Sequence, residues 1–244
     1  NEHVHHLGTL GEPGRDFGAW VDRAVLGGHL WVQSRTWDPE GLVSTLPAIG
    51  TLLFGVLVIA AYLSEARFFR FIAYLVLVRA KGARQLLFAL VAVVGALSAL
   101  LLNDTVCVLL TPLVVAVVVE ARLPPLPYLL ALASSANVGG VVSFSGNPQN
   151  VIVGAAAHET ISFAQYFALT LPVGVACLVA NALAIAWLFR KELPEGPLVK
   201  LEIPRPAVEK PLAIKSLGAL LVFVILAVAG VSLDGAAMTA AAAL

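Results

Sequence analysis

The chain has 244 residues, of which 59% are apolar and only 12% charged, and its mean hydropathy is +0.92. A soluble domain carries about 25% charged residues, so this composition excludes a water-soluble globular protein and points to an integral membrane protein. Lys and Arg total 15 and Asp and Glu total 15, a balance that excludes a nucleic-acid partner and a basic membrane-surface protein.

Residues 1–42 form a wet, non-spanning segment that holds four of the five His and three of the four Trp. The apolar stretches that follow each need about 20 residues to cross a ~30 Å hydrocarbon core. Residues 43–63 carry no charge and predict a transmembrane helix. Residues 64–84 hold Arg67, Arg70, Arg79, Lys81 and Arg84 around a short aromatic run, 68–78. That run is too short to span and predicts a basic helix lying in the interface. Residues 85–122 contain one long apolar stretch, 85–119, whose single charge is Asp104. As one helix it would measure about 52 Å, so it predicts a helical hairpin that folds back at Asn103-Asp104-Thr105. Residues 123–157 are charge-free but interrupted between Ser143 and Asn150 by Gly146 and Pro148. They predict a broken transmembrane helix, because Gly and Pro interrupt a helix and Pro removes a donor. A transmembrane helix is predicted over 161–189, a charged, Pro-rich cytoplasmic loop over 190–210, and another span over 211–233. Asp234-Gly235 then predicts a turn, and 236–244 the start of a further helix cut short. Asn at position 1 and an apolar run at Leu244 read as the ends of a fragment of something longer.

The fold expected is therefore all-α: a polytopic helical membrane protein with a re-entrant hairpin and a broken transmembrane helix. Five of the 15 basic residues fall in 67–84, one at Arg122 and six in 190–215. The excess of Lys and Arg in cytoplasmic loops assigns these clusters to the cytoplasm. Residues 1–42, the His158-Glu159-Thr160 turn and Asp234 are then extracytoplasmic.

In lipid, irregular backbone is tolerated only where protein or a watery cavity receives its polar groups. The two breaks therefore predict a shared polar cavity. Asn103 or Asp104 can cap the helix that begins near Thr105, and Asn147 can cap another with Pro148 at its first position. Free N–H groups at the positive helix ends can face an anion, and carbonyl, Asn, Asp and Ser oxygens can coordinate Na⁺. A charge at membrane depth costs roughly 2.5–3.5 kcal/mol. Asp104 therefore reads as a proton carrier or cation ligand, with an ordinary hairpin turn as the alternative. Ser134, Ser135 and Asn137, just before Gly139-Gly140, either line the cavity or let helices approach closely. Cys107 and Cys177 lack a metal-ligand spacing, and Cys107 reads as an inert buried thiol rather than a metalloid ligand.

The run Leu101-Leu102-Asn103-Asp104-Thr105-Val106-Cys107-Val108-Leu109-Leu110-Thr111-Pro112-Leu113 resembles the first hairpin motif of the ion transporter superfamily. So does Ser134-Ser135-Ala136-Asn137-Val138-Gly139-Gly140, followed by Ser145-Gly146-Asn147-Pro148-Gln149-Asn150. The superfamily includes arsenite permeases, citrate and dicarboxylate transporters and sodium/proton antiporters. The chain is most similar to arsenite-permease-like anion transporters with a citrate-transporter-like domain, over about 56–244. The resemblance implies one half of an inverted-repeat transporter, with Asn103, Asp104 and Thr105 at a hairpin tip and Ser145, Gly146, Asn147 and Pro148 in a broken-helix loop. Leu102-Asn103-Asp104 stands where dicarboxylate carriers have Ser-Asn-Thr, which favours the arsenite-like or general anion branch. Residues 17–55 are similar to bacterial relatives of heparan-α-glucosaminide N-acetyltransferase, an expectation of a chimaera that carries over no catalytic residue.

The function expected is secondary active transport of an inorganic or small organic anion, arsenite-like or carboxylate, coupled to H⁺ or Na⁺. The alternatives are a fragment of a membrane acyltransferase and a purely structural membrane subunit. Candidate substrate- and ion-binding residues are Asn103, Asp104, Thr105, Ser145, Gly146, Asn147, Pro148, Asn150 and Asn137, with Na⁺ at Asn103, Asp104 and Asn147. No catalytic residue is expected, and no cofactor beyond the coupling Na⁺ or H⁺. The partners implied are the lipid bilayer, a small anion, the missing second half and a second copy in a homodimer, with no nucleic acid. The place expected is the cell inner membrane, multi-pass.

Overall fold

The structure, a computed structural model, describes Ala24 and residues 42–157, 160–196 and 205–244. The expectations for 1–41 apart from Ala24, for His158-Glu159 and for the 197–204 part of the 190–210 loop lie outside the described residues. Nine α-helices are formed among the described residues: α1 Leu42–Glu65, α2 Phe68–Arg79, α3 Ala83–Leu100, α4 Asn103–Glu120, α5 Pro125–Gly140, α6 Pro148–Ala157, α7 Phe163–Leu188, α8 Lys210–Val228 and α9 Leu233–Ala242. Five of them, α1, α3, α4, α7 and α8, are long and apolar enough to cross a membrane. The chain is a polytopic all-α membrane protein.

Local chemistry sets many helix ends. Pro125 and Pro211 lie in the first turns of α5 and α8, where a missing N–H costs nothing. Ser162 caps α7 in a reciprocal box: Gln165 N–H donates to Ser162 Oγ at 3.2 Å and Ser162 N–H to Gln165 Oε1 at 3.0 Å. Asp234-Gly235, expected as a turn, lies in the first turn of α9. The chain reverses instead at Gly230, whose φ of 87° only glycine adopts without strain. Asp in the first turn of a helix is favoured by the helix dipole, so the same residue that suits a turn also suits a helix start.

The helices pack in two groups. In one, α5 lies against α3, α4 and α7; in the other, α1, α8 and α9 pack together. Between the groups, α2 touches α4 and α6 touches α1. Backbone contact holds both groups. A Cβ added to Gly139 of α5 would fall within 3 Å of Gly95 backbone atoms in α3, and one on Gly55 of α1 would lie 2.8 Å from Ala237 of α9. Such small-residue crossings bring backbones close where apolar side chains gain nothing by leaving lipid.

The helix expected to lie in the interface, α2, runs alongside α4. Phe69 and Arg70 face a space shared with Val108 and Leu113, while Ile72, Ala73 and Val76 meet Leu110, Val114 and Val118 further along. Several links tie the basic segments together toward one end. Arg84 pairs with Glu195 at 3.5 Å, Glu209 N–H donates to Ala66 O at 3.3 Å, and the Arg205 guanidinium lies 5.5 Å from the Phe71 ring. The buried Tyr128 hydroxyl donates to Ala83 O at 2.9 Å and joins the starts of α5 and α3.

From that end α3 rises about 27 Å to the Leu101-Leu102 link, where α4 turns back. Beyond the 141–147 interruption, α6 continues for roughly 15 Å toward the start of α7. α5 and α6 share little side-by-side contact, as two parts of a broken helix should.

Candidate functional site

The tip of the α3–α4 hairpin meets the interruption between α5 and α6. Asn103 N–H donates to Gly146 O at 2.9 Å, and Asn103 Nδ2 donates to Asn137 Oδ1 at 2.9 Å. Both glycines are required for this approach: a Cβ on Gly140 would lie 2.7 Å from Gly146 O and 3.2 Å from Asn103 Cβ, and one on Gly146 would fall within 3 Å of Gly140 backbone atoms. The structure thus brings Asn103, Asn137, Gly146 and their neighbours into one constellation.

The expected caps divide. Asn147 caps α6 as expected, its Oδ1 accepting from Asn150 N–H at 2.6 Å, with Pro148 as the first helical residue. Neither Asn103 nor Asp104 caps α4. That helix starts at Asn103 with Leu102 in the cap position and no side-chain cap. Asn103 is turned sideways instead, toward Asn137, while its Oδ1 accepts Asp104 N–H at 2.9 Å. The tertiary partner in α5 outcompetes the local cap.

Burial differs sharply among the candidates. Ser145 and Asn147 are buried and Asn103 is 8% exposed. Thr105 and Pro148 are half-buried, whereas Asp104 and Asn137 are exposed. Among the described residues the Asp104 carboxylate has no hydrogen-bond or ion-pair partner. It stands in the first turn of α4, where the helix dipole favours its charge.

The carbonyls left free at the end of α5 are satisfied from two directions. Asn150 Nδ2 lies 2.9 Å from Ser143 O and 3.1 Å from Val141 O. Tyr166 Oη donates to Val141 O at 3.0 Å, and Thr170 Oγ1 to Val142 O at 2.7 Å. Asn150 therefore commits its amide to holding the break together. Ser143 Oγ donates its one proton to Ala99 O at 2.6 Å, so Ser145 is the donor in their 3.3 Å pair. Phe144 stacks on Tyr166 at 4.1 Å and closes the far side.

Ser134 and Ser135 serve packing. Asn181 Nδ2 donates to Ser134 Oγ at 2.9 Å and to Ser135 Oγ at 3.3 Å, tying α7 to α5. Tyr166, Thr170 and Asn181 escaped the sequence reading. Their signal was present: with Gly174 they fall along one face of an otherwise apolar helix. Ser98 escaped it too. It is fully buried, and its hydroxyl is the one buried side-chain polar atom without a partner among the described residues.

Two helix N-termini, of α4 and α6, and two C-termini, of α3 and α5, converge here. The first pair offers positive potential and N–H groups, the second negative potential and carbonyls. Such a junction can accept an anion and a cation side by side. The family model described as citrate transporter matches residues 19–244. The chain belongs to the citrate transporter family. The match runs through residues 19–55, so one family spans most of the stretch that resembles acyltransferases and the hairpin beyond it.

Among individual relatives, the chain is 40% identical over 175 residues to the silicon efflux transporter LSI3 of Oryza sativa subsp. japonica, covering 71% of this chain and 36% of that protein. It is 27% identical over 166 residues to the arsenical pump membrane protein of Escherichia coli strain K12, covering 66% of this chain and 38% of that protein. The chain spans well under half the length of these curated relatives.

Proposed function

We infer that the whole protein is a secondary active transporter of an inorganic or small organic anion, driven by H⁺ or Na⁺. The observation that carries the reading is the Asn103–Gly146 bond, which joins two irregular backbone segments of a membrane protein and leaves Asp104 and Asn137 exposed beside them. Family membership supports a transporter rather than an enzyme. The relatives' names support silicon or arsenical cargo, and the family's description supports a carboxylate. Asn103, Asp104, Thr105, Asn137, Ser145, Gly146, Asn147 and Pro148 form the half-site in this reading, with Asn150 as its brace. The side-chain oxygens of Asn103, Asp104 and Asn147 are the ligands for the coupling cation in this reading. A second half, carrying a matching hairpin, completes the site, and two copies form the dimer.

Full-length protein in sealed vesicles should move arsenite, silicic acid or citrate only when a pH or Na⁺ gradient is imposed. Absence of flux of all three under both gradients overturns the reading. For orientation, the linked basic segments belong in the cytoplasm of a cell inner membrane. In a background lacking Cys107 and Cys177, Lys191→Cys should react with an impermeant thiol reagent only from the cytoplasmic side, and Thr160→Cys only from outside. The reverse pattern inverts the topology.

A further inference from the structure

A cavity of about 650 Å³ lies between the end of α1, the start of α2 and the middle of α4. Its walls are of two kinds. Glu65, Arg67 and Arg70 make a charged rim, while Val108, Leu109 and Leu113 of α4 make an apolar wall. Val108 is 73% exposed in this chain.

Both arginines are exposed and have no ion-pair partner among the described residues. Glu65 offsets one of the two charges, and Arg205, beside Phe71 one turn along α2, adds another. Arg67 lies two residues beyond the end of α1, a helix long and apolar enough to cross a membrane. Its φ is 60°, a backbone conformation that glycine adopts freely and arginine at a cost. What arginine adds at this position is its guanidinium. The first turn of α2 has no side-chain cap, so its N–H groups add positive potential on the same rim.

We propose that this cavity binds an anionic phospholipid, its phosphate held by Arg67 and Arg70 and an acyl chain laid along Val108, Leu109 and Leu113. Basic pockets between spanning helices on the cytoplasmic side suit such headgroups. The charged rim beside an aliphatic wall matches a molecule with both parts, and a free phosphate would leave the wall unused.

The test places a reporter on the wall. V108W protein is put into phosphatidylcholine bilayers doped with brominated phosphatidylglycerol or, separately, brominated phosphatidylcholine, and quenching is read against the protein without the added Trp. The brominated phosphatidylglycerol should bind about tenfold more strongly at the reporter. The preference should vanish in V108W/R67G/R70Q, survive in V108W/R79Q at the other end of α2, and persist when inorganic phosphate is added. Glycine suits the Arg67 backbone, so the R67G change does not threaten folding. Equal quenching by both lipids, a preference that survives R67G/R70Q or is lost in R79Q, or its abolition by inorganic phosphate each overturns the proposal.

Discussion

Asp104→Asn is expected to abolish ion-coupled transport by the whole protein while leaving the amount of folded protein close to wild type. The substitution keeps the size of the side chain and much of its hydrogen-bonding capacity but removes the charge and the titratable proton. Little folding energy is at stake, because the carboxylate is exposed and has no partner among the described residues. Its one local benefit, a negative charge in the first turn of α4, is worth about 0.3–1 kcal/mol. Transport is a different matter. An exposed carboxylate beside two helix N-termini can hold a proton or a Na⁺ next to an anion, and an amide cannot carry the proton. If Asp104 were only a turn residue, Asn would serve equally well, since both suit turns and caps. Flux in vesicles across a pH gradient and across a Na⁺ gradient, measured beside expression level, separates the two. Wild-type rates with wild-type gradient dependence in the Asn variant would remove Asp104 from the mechanism.

Gly146→Ala should be the most damaging single-methyl change at the junction. The added Cβ would fall within 3 Å of Gly140 backbone atoms, and Gly140 is itself pressed against Asn103. No flexible side chain lies there to yield, so the strands of irregular backbone must part. Overpacking of this kind costs typically about 1–3 kcal/mol, and it pulls Gly146 O away from Asn103 N–H. Transport should drop by roughly fivefold to a hundredfold, since about 1.4 kcal/mol represents a factor of ten, while helix content by circular dichroism stays unchanged. Gly218→Ala in α8 is the matched control. Nothing lies within 4 Å of a Cβ there, and alanine favours a helix over glycine by about 1 kcal/mol. Its transport and stability should equal or exceed wild type. Equal losses in the two variants would show that Gly146 has no special place in the junction.

The positions of the helices and of both breaks were legible along the chain, and the reason is the bilayer. Without water, a spanning segment must bond its own backbone, so long apolar runs read as helices and Gly146 marks a place where the run stops, whereas the first break falls at Leu101-Leu102, just before the expected Asn103-Asp104-Thr105. Asn147 as a cap with Pro148 behind it was legible too, because that chemistry involves residues only a few positions apart. Long-range choices were not. Asn103 has a local use as a cap and a distant one with Asn137, and only the approach of α5 decides between them. Asn150 reads as an ion ligand along the chain, and only the folded structure shows that its Nδ2 also braces the free carbonyls at the end of α5. Tyr166 and Thr170 gained their places at the break because α7 lies against it, and Gly139 because its backbone meets Gly95. Hydropathy says that a segment enters the membrane, whereas the angle and depth at which two such segments cross depend on backbone contacts between residues far apart in the chain. That crossing turned two separate interruptions into one junction.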